Sequence, residues 1–196
     1  VQDMFVRSLS LGVAAAALLV GGAQAADLII PTTPAPIYEA AGFSWDGLYA
    51  GVQGGGEFWG DDNNYGVIGA HVGVNFIVAD PILLGLEGTA EYVWGENAAG
   101  ADINSGEFFI NGRVGAIVTD SVLVYALAGV GVETLENRAV GDDNQGVYQL
   151  GAGVELAVTD SVTVRGQLVG YGYFDDAVGN DFFDAAKATV GVSYHF

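Results

Sequence analysis

From residue 65 onward apolar and polar positions alternate with a period of two, the signature of strands that look into different surroundings on their two sides. The apolar residues carry even numbers. Residues 65–78 have Ile68, Val72, Val74 and Phe76 in this phase, and residues 82–94 have Ile82, Leu84, Leu86, Tyr92 and Trp94. The same parity runs through 108–118, 122–132, 148–158, 162–174 and 186–196. Every charge in these segments is odd-numbered: Glu87, Glu91, Arg113, Glu155, Arg165 and Lys187, with Glu133 just past the end of its segment. Successive side chains of a strand point to opposite faces, so this parity puts all the charge on one face and none on the other.

An internal repeat of 40 residues is laid over the alternation. Asp80, Asp120 and Asp160 each centre a short connection, flanked by Val78 and Ile82, Val118 and Val122, and Val158 and Val162. A three-residue connection would set the members of each flanking pair opposite one another and keep the apolar side on even positions. The alternate connections, near 58–64, 95–106, 134–146 and 175–184, are longer and rich in Gly, Asp and Asn. With a further strand over about 47–58 the chain has eight. The expected fold is all-β: an eight-stranded antiparallel up-and-down transmembrane β-barrel, closed because hydrocarbon cannot satisfy the backbone groups of an open sheet edge.

Periodicity alone also fits a soluble, lipocalin-like barrel with its apolar face inside. Three features decide for the membrane. The even face has no charged relief, and the odd face is rich in glycine and polar groups. Aromatic residues also gather at the ends of the even face: Tyr92, Trp94, Phe108, Tyr148 and Phe174 near the long connections, and Phe76, Tyr194 and Phe196 near the short ones.

Composition narrows the partners. The 196 residues include 24 acidic and 5 basic ones, for a formal charge of −19, and the basic residues at 7, 113, 138, 165 and 187 form no cluster, so a nucleic-acid partner is excluded. There is no cysteine, hence no disulfide or thiolate metal site. Arg7 precedes an apolar run over 11–20 that leads to Ala23-Gln24-Ala25, a small-x-small site; residues 1–25 read as a signal peptide cleaved after Ala25. Residues 26–44, with Pro31, Pro34 and Pro36, read as a Pro-rich periplasmic linker ahead of a barrel over 45–196. A leader without a role of its own is the competing reading of that stretch.

The chain's two ends carry a resemblance. Its end, Val190-Gly191-Val192-Ser193-Tyr194-His195-Phe196, resembles the terminal strand by which outer-membrane barrels are recognised by the barrel assembly machinery, with Val192, Tyr194 and Phe196 as the signal. Its start, Phe43-Ser44-Trp45-Asp46-Gly47-Leu48-Tyr49-Ala50-Gly51 behind a Pro-rich linker, is similar to the opening of alphaproteobacterial porin-like barrels of the Omp25/Omp31 type, in the OmpA-like membrane-domain group. The resemblance implies location in the outer membrane of a Gram-negative cell, with outer-membrane lipid and lipopolysaccharide as surroundings. Some barrels of this kind bind haem or a host factor at the surface, but no residue here identifies such a ligand.

The odd face would line the lumen, and Glu87, Glu91, Arg113, Glu133, Glu155, Arg165 and Lys187 make up its expected charge cluster. The turn register sets Glu155 opposite Arg165 and predicts a cross-strand ion pair, with Glu87 and Arg113 at similar height and able to join it. A cation enclosed in a narrow lumen needs counter-charge. This cluster serves either to pack the barrel rigid or to select solutes in a narrow porin-like channel. The first is preferred, since eight strands leave an interior that side chains just fill. Tyr49, Tyr125, Leu127, Tyr171 and Tyr173 would fill it, while inward glycines at 51, 69, 73, 115, 129, 131, 151 and 153 would leave some room.

Neither catalysis nor cofactor binding is expected. The two histidines, His71 in mid-strand and His195 at the periplasmic end, cannot converge with the loop carboxylates to make a general base. The acidic connections (Asp61, Asp62, Glu96, Asp102, Glu136, Asp142, Asp143, Asp175, Asp176, Asp181, Asp184) lack the fixed spacing of a calcium loop and read as solvated, with no dedicated metal site. The function expected is a structural outer-membrane barrel contributing to envelope integrity and surface presentation.

Overall fold

Eight strands close on themselves in the computed structural model, which describes residues 43–59, 64–96, 102–135, 143–174 and 182–196. They are β1 (Gly47–Trp59), β2 (Asn64–Ala79), β3 (Ile82–Glu96), β4 (Asp102–Thr119), β5 (Val122–Leu135), β6 (Asp143–Ala157), β7 (Val162–Tyr173) and β8 (Ala185–His195). Each pairs antiparallel with its neighbours in sequence, and β1 pairs with β8, so the order around the ring is β1 to β8 and no sheet edge is left open. Closure is what the sequence demands: every strand has an apolar face, and pairing on both sides satisfies its backbone.

The parity holds around the ring. Most odd-numbered side chains point inward and are buried or half-buried, whereas Leu48, Val52, Ile68, Val72, Ile110 and Val190 on the even face are each more than half exposed. Apolar exposure on this scale has no place in water and marks a lipid-facing surface. Aromatic residues rim it at both ends, with Tyr92 and Trp94 stacked at 6.2 Å at one end and Tyr194 and Phe196 edge to face at 5.1 Å at the other.

Two details differ from the sequence-based expectation. In the β6–β7 connection Val158 does face Val162, its N–H donating to the Val162 carbonyl at 2.9 Å. In the other two turns the strands run one residue further. Ala79 pairs with Ile82 and Thr119 with Val122, and the extra residue is absorbed as an irregularity at Val78 and Val118. The two-residue turns tighten the hairpin ends, while the bulges restore the expected register from Ile77–Leu83 and Ile117–Leu123 onward, so the faces are not exchanged.

At the other end the strands outrun their expected limits. β4 begins at Asp102, β5 reaches Leu135 and β6 begins at Asp143, so the connections there are shorter than the stretches of polar residues suggested. Gly, Asp and Asn read as loop in sequence, but tertiary pairing with an already formed neighbour carries the ladder on, as in Gly95–Ile103 and Glu96–Asp102. The even-numbered, exposed Glu96 and Asp102 therefore belong to strands, beyond the apolar band, and the charge-free rule applies only within that band. The expected cleavage site at Ala25, the linker up to residue 42, and Asp61, Asp62, Glu136, Asp142, Asp175, Asp176 and Asp181 lie outside the described residues.

Candidate functional site

The lumen is filled by two tiers of charge joined by glutamine. The lower tier, nearer the short turns, comprises Arg113, Arg165, Glu87 and Glu155, all essentially inaccessible to solvent. Glu87 Oε2 accepts from Arg165 Nη1 at 2.6 Å, from Arg113 Nη1 at 3.3 Å and from the Tyr49 hydroxyl at 2.8 Å. Arg113 Nη1 also donates to the Tyr49 oxygen at 2.5 Å, and its Nη2 to Glu155 Oε2 at 2.9 Å. Glu155 Oε1 accepts from Thr163 Oγ1 at 2.6 Å and lies 3.4 Å from His195 Nε2. The Arg113 guanidinium stacks over the Tyr125 ring at 3.9 Å. Two guanidiniums therefore meet two carboxylates, and charge is balanced.

The upper tier centres on Lys187, whose ammonium lies 3.4 Å from Glu57 and 3.2 Å from Glu91 and in direct contact with Glu107. It also faces the Tyr171 and Phe109 rings at 4.8 and 5.2 Å. Gln53 links the tiers, donating to Glu91 Oε1 at 2.5 Å and accepting from Arg165 Nη2. Glu133 stays apart from Lys187. The Tyr171 and Tyr173 hydroxyls hold it, both donating to its Oε2 at 2.6 Å.

The register does set Glu155 opposite Arg165, but the expected ion pair between them gives way to two others. Arg165 reaches across the lumen to Glu87, from β7 to the strand facing it in an eight-membered ring, and Glu155 binds Arg113 of β4. Long side chains pointing into a narrow tube meet at its axis, where strand adjacency no longer decides the partner. Glu57, Glu107, Gln53 and Trp59 were missed as members of the site. Glu57 and Glu107 share the odd parity of the other charges; Glu107 lies between the expected connection over 95–106 and the strand expected from 108, and belongs to β4.

The inward glycines leave no room. A side chain from a neighbouring strand covers each, including Tyr49 on Gly73, Tyr125 on Gly153 and Phe109 on Gly131, so that a Cβ at these positions would overlap the ring. His71, inside and buried, shares a 2.8 Å hydrogen bond with Ser193 Oγ. Val192, Tyr194 and Phe196 sit on the outer face at the end of the chain, 47%, 51% and 79% exposed.

The chain is similar to several solved structures. Ail of Yersinia pestis is 12% identical, with 77% of this chain and 97% of that chain covered and a TM-score of 0.52. Neisserial surface protein A has 12% identity over 76% of this chain and 96% of that chain, with a TM-score of 0.50. The barrel domain of Pseudomonas aeruginosa OprF has 14% identity over 76% and 97%, with a TM-score of 0.47. At these identities the likeness is one of fold. No curated protein sequence matches. The family described as outer membrane protein beta-barrel domain matches residues 13–196, nearly the whole chain, with the fold and the lipid-facing band in agreement. The chain is a member of the outer membrane protein β-barrel domain family and resides in the outer membrane of a Gram-negative bacterium.

Proposed function

We propose that the protein is a structural, non-enzymatic barrel that contributes to envelope integrity and presents its acidic connections at the cell surface. One observation carries this reading. The middle of the lumen is spanned from wall to wall by Arg113, Arg165, Glu87 and Glu155, whose side chains are at most 1% exposed. A solute passing this level would have to part charges that have no water to turn to, and a buried pair broken in that way costs about 3–5 kcal/mol. The short turns face the periplasm and the other connections the exterior, as in bacterial barrels generally.

The opening motif over 43–51 and the Pro-rich stretch before it support a place among the Omp25/Omp31-type barrels of alphaproteobacteria. The apolar run ending at Ala25 supports export by a cleaved signal peptide. Val192, Tyr194 and Phe196, on one outward face of the last strand, are suited to recognition by the assembly machinery. Lipid and lipopolysaccharide are the expected surroundings.

Planar-bilayer recording of the folded protein tests the central reading. Silence is the expected result. Reproducible conductance steps that change with Arg165→Ala would overturn it in favour of a narrow channel for small solutes.

A further inference from the structure

The chain enters the barrel in an unusual way. Gly47, the first residue of β1, has a φ of +117°, a backbone conformation that side-chain-bearing residues rarely adopt, so the preceding residues can fold sharply back on the strand. They fold into the short-turn mouth of the barrel. Trp45 is 2% exposed and packs with Leu83 of β3 and with Leu123 and Tyr125 of β5. Its indole N–H donates to the Asp120 carbonyl in the β4–β5 turn at 3.2 Å. In a ring of eight strands β5 faces β1, so the indole spans the mouth. Asp46 pins the bend from outside, its Oδ1 accepting from the Ile77 N–H at 3.0 Å beside the Val78 bulge.

The underside of the lower charge tier rests on this segment. The Phe43 ring lies 4.6 Å from Trp45 and 4.8 Å from His195, and His195 stacks on Tyr49 at 5.3 Å and reaches Glu155 at 3.4 Å. Within the mouth is Asn75, fully buried at the height of Gly47, with neither its Oδ1 nor its Nδ2 hydrogen-bonded. A buried amide without partners is costly where water is excluded and costs nothing when water can reach it.

We infer that residues 43–46 are a lid over the periplasmic mouth, hinged at Gly47 and latched by Trp45. The lid opens independently of the barrel wall and, when open, admits periplasmic water as far as the Glu155–Arg113 tier. Only a few side-chain contacts and two hydrogen bonds hold it, against a continuous ladder for each strand, so local opening costs far less than unfolding. The inference does not depend on whether the lumen conducts, since the charge tier lies above the lid in either case.

The chain has no cysteine, so single thiols report cleanly. Asn75→Cys places one beneath the tier. Thr89→Cys places one above it, at another buried side chain that makes no hydrogen bond. Neither replacement removes an existing hydrogen bond. Each is combined with Trp45→Ala in reconstituted vesicles and treated with a charged, water-borne thiol reagent, after heat-dependent gel mobility has established that the barrel is closed. The thiol at 75 should react roughly tenfold faster or more in Trp45→Ala than with Trp45 present, while the thiol at 89 is unchanged. If Trp45→Ala does not fold, Trp45→Leu is read in the same way, because it keeps an apolar group in the mouth but loses the latch. Equal rates at 75 with and without Trp45, or equal acceleration at 75 and 89, would overturn the lid, since the first means no barrier and the second a loosened wall.

Discussion

Glu87 on β3 is bound at 2.6 Å by Arg165 of β7, the strand that faces it across the lumen, and the same oxygen also takes Arg113 at 3.3 Å. One carboxylate is thus shared by two guanidiniums, one from the neighbouring strand and one from the facing strand, whereas Glu155 serves Arg113 alone among the arginines. The lower tier is therefore unequal in its parts. Losing Glu87 strands Arg165 without a carboxylate, while losing Glu155 leaves both arginines with one.

Glu87→Gln should accordingly destabilise the folded barrel by about 3–5 kcal/mol, the cost of a buried charge left without its partner, and Glu155→Gln by clearly less. Urea unfolding in lipid vesicles measures both. A loss for Glu155→Gln equal to that for Glu87→Gln would contradict the shared-carboxylate arrangement.

Glycine substitutions should sort by face. Gly73→Ala drives a methyl into the Tyr49 ring inside the barrel and should cost about 1–3 kcal/mol. Gly166, on the lipid side, has nothing within 4 Å of the place a Cβ would take. Gly166→Ala should be neutral or stabilising by up to about 1 kcal/mol, because alanine gives up less backbone freedom on folding. The same unfolding titrations decide, and a costly Gly166→Ala would mean that this face is covered by something other than lipid.

The three tryptophans should separate by quencher. Trp94 is 43% exposed on the outer face, Trp45 is enclosed in the short-turn mouth, and Trp59 points inward, donating to Glu57 Oε1 at 2.6 Å. Brominated lipid should quench Trp94, and Trp94→Phe should abolish most of the effect. Strong residual quenching in that variant would place a second indole in the bilayer.

Sidedness can be read along a single hairpin. Cysteines at Leu150 and Val164 should meet acyl chains and resist water-borne thiol reagents, while a lipid-soluble reagent should modify them. Gln149 and Gln167, buried inside at 5% and 7% exposure, should be reached by neither while the barrel is closed. Rapid aqueous labelling at 150 and 164 would mean that the apolar face does not lie in lipid.

The architecture was legible in the sequence because it depends on local periodicity. A two-residue period with every charge in one phase fixes which side of each strand looks inward, and a 40-residue repeat of Asp-centred turns fixes how successive strands are joined. The bulges at Val78 and Val118 escaped this reading, since a hairpin can hold its register with either turn length. So did the strand ends, where Ile103 and Asp102 pair only because β3 is already there to receive them. Parity likewise placed Glu155, Arg165, Glu87, Arg113 and Lys187 inside. What parity could not give was the choice of partner. Glu155 and Arg165 are opposite in register, yet each is satisfied elsewhere, because long side chains that point into a narrow closed tube reach its axis and meet partners from other walls there. The same closure turns Trp45, which the sequence shows only as part of the opening motif before the first strand, into a bridge to Asp120, a contact between chain positions that only the ring brings together.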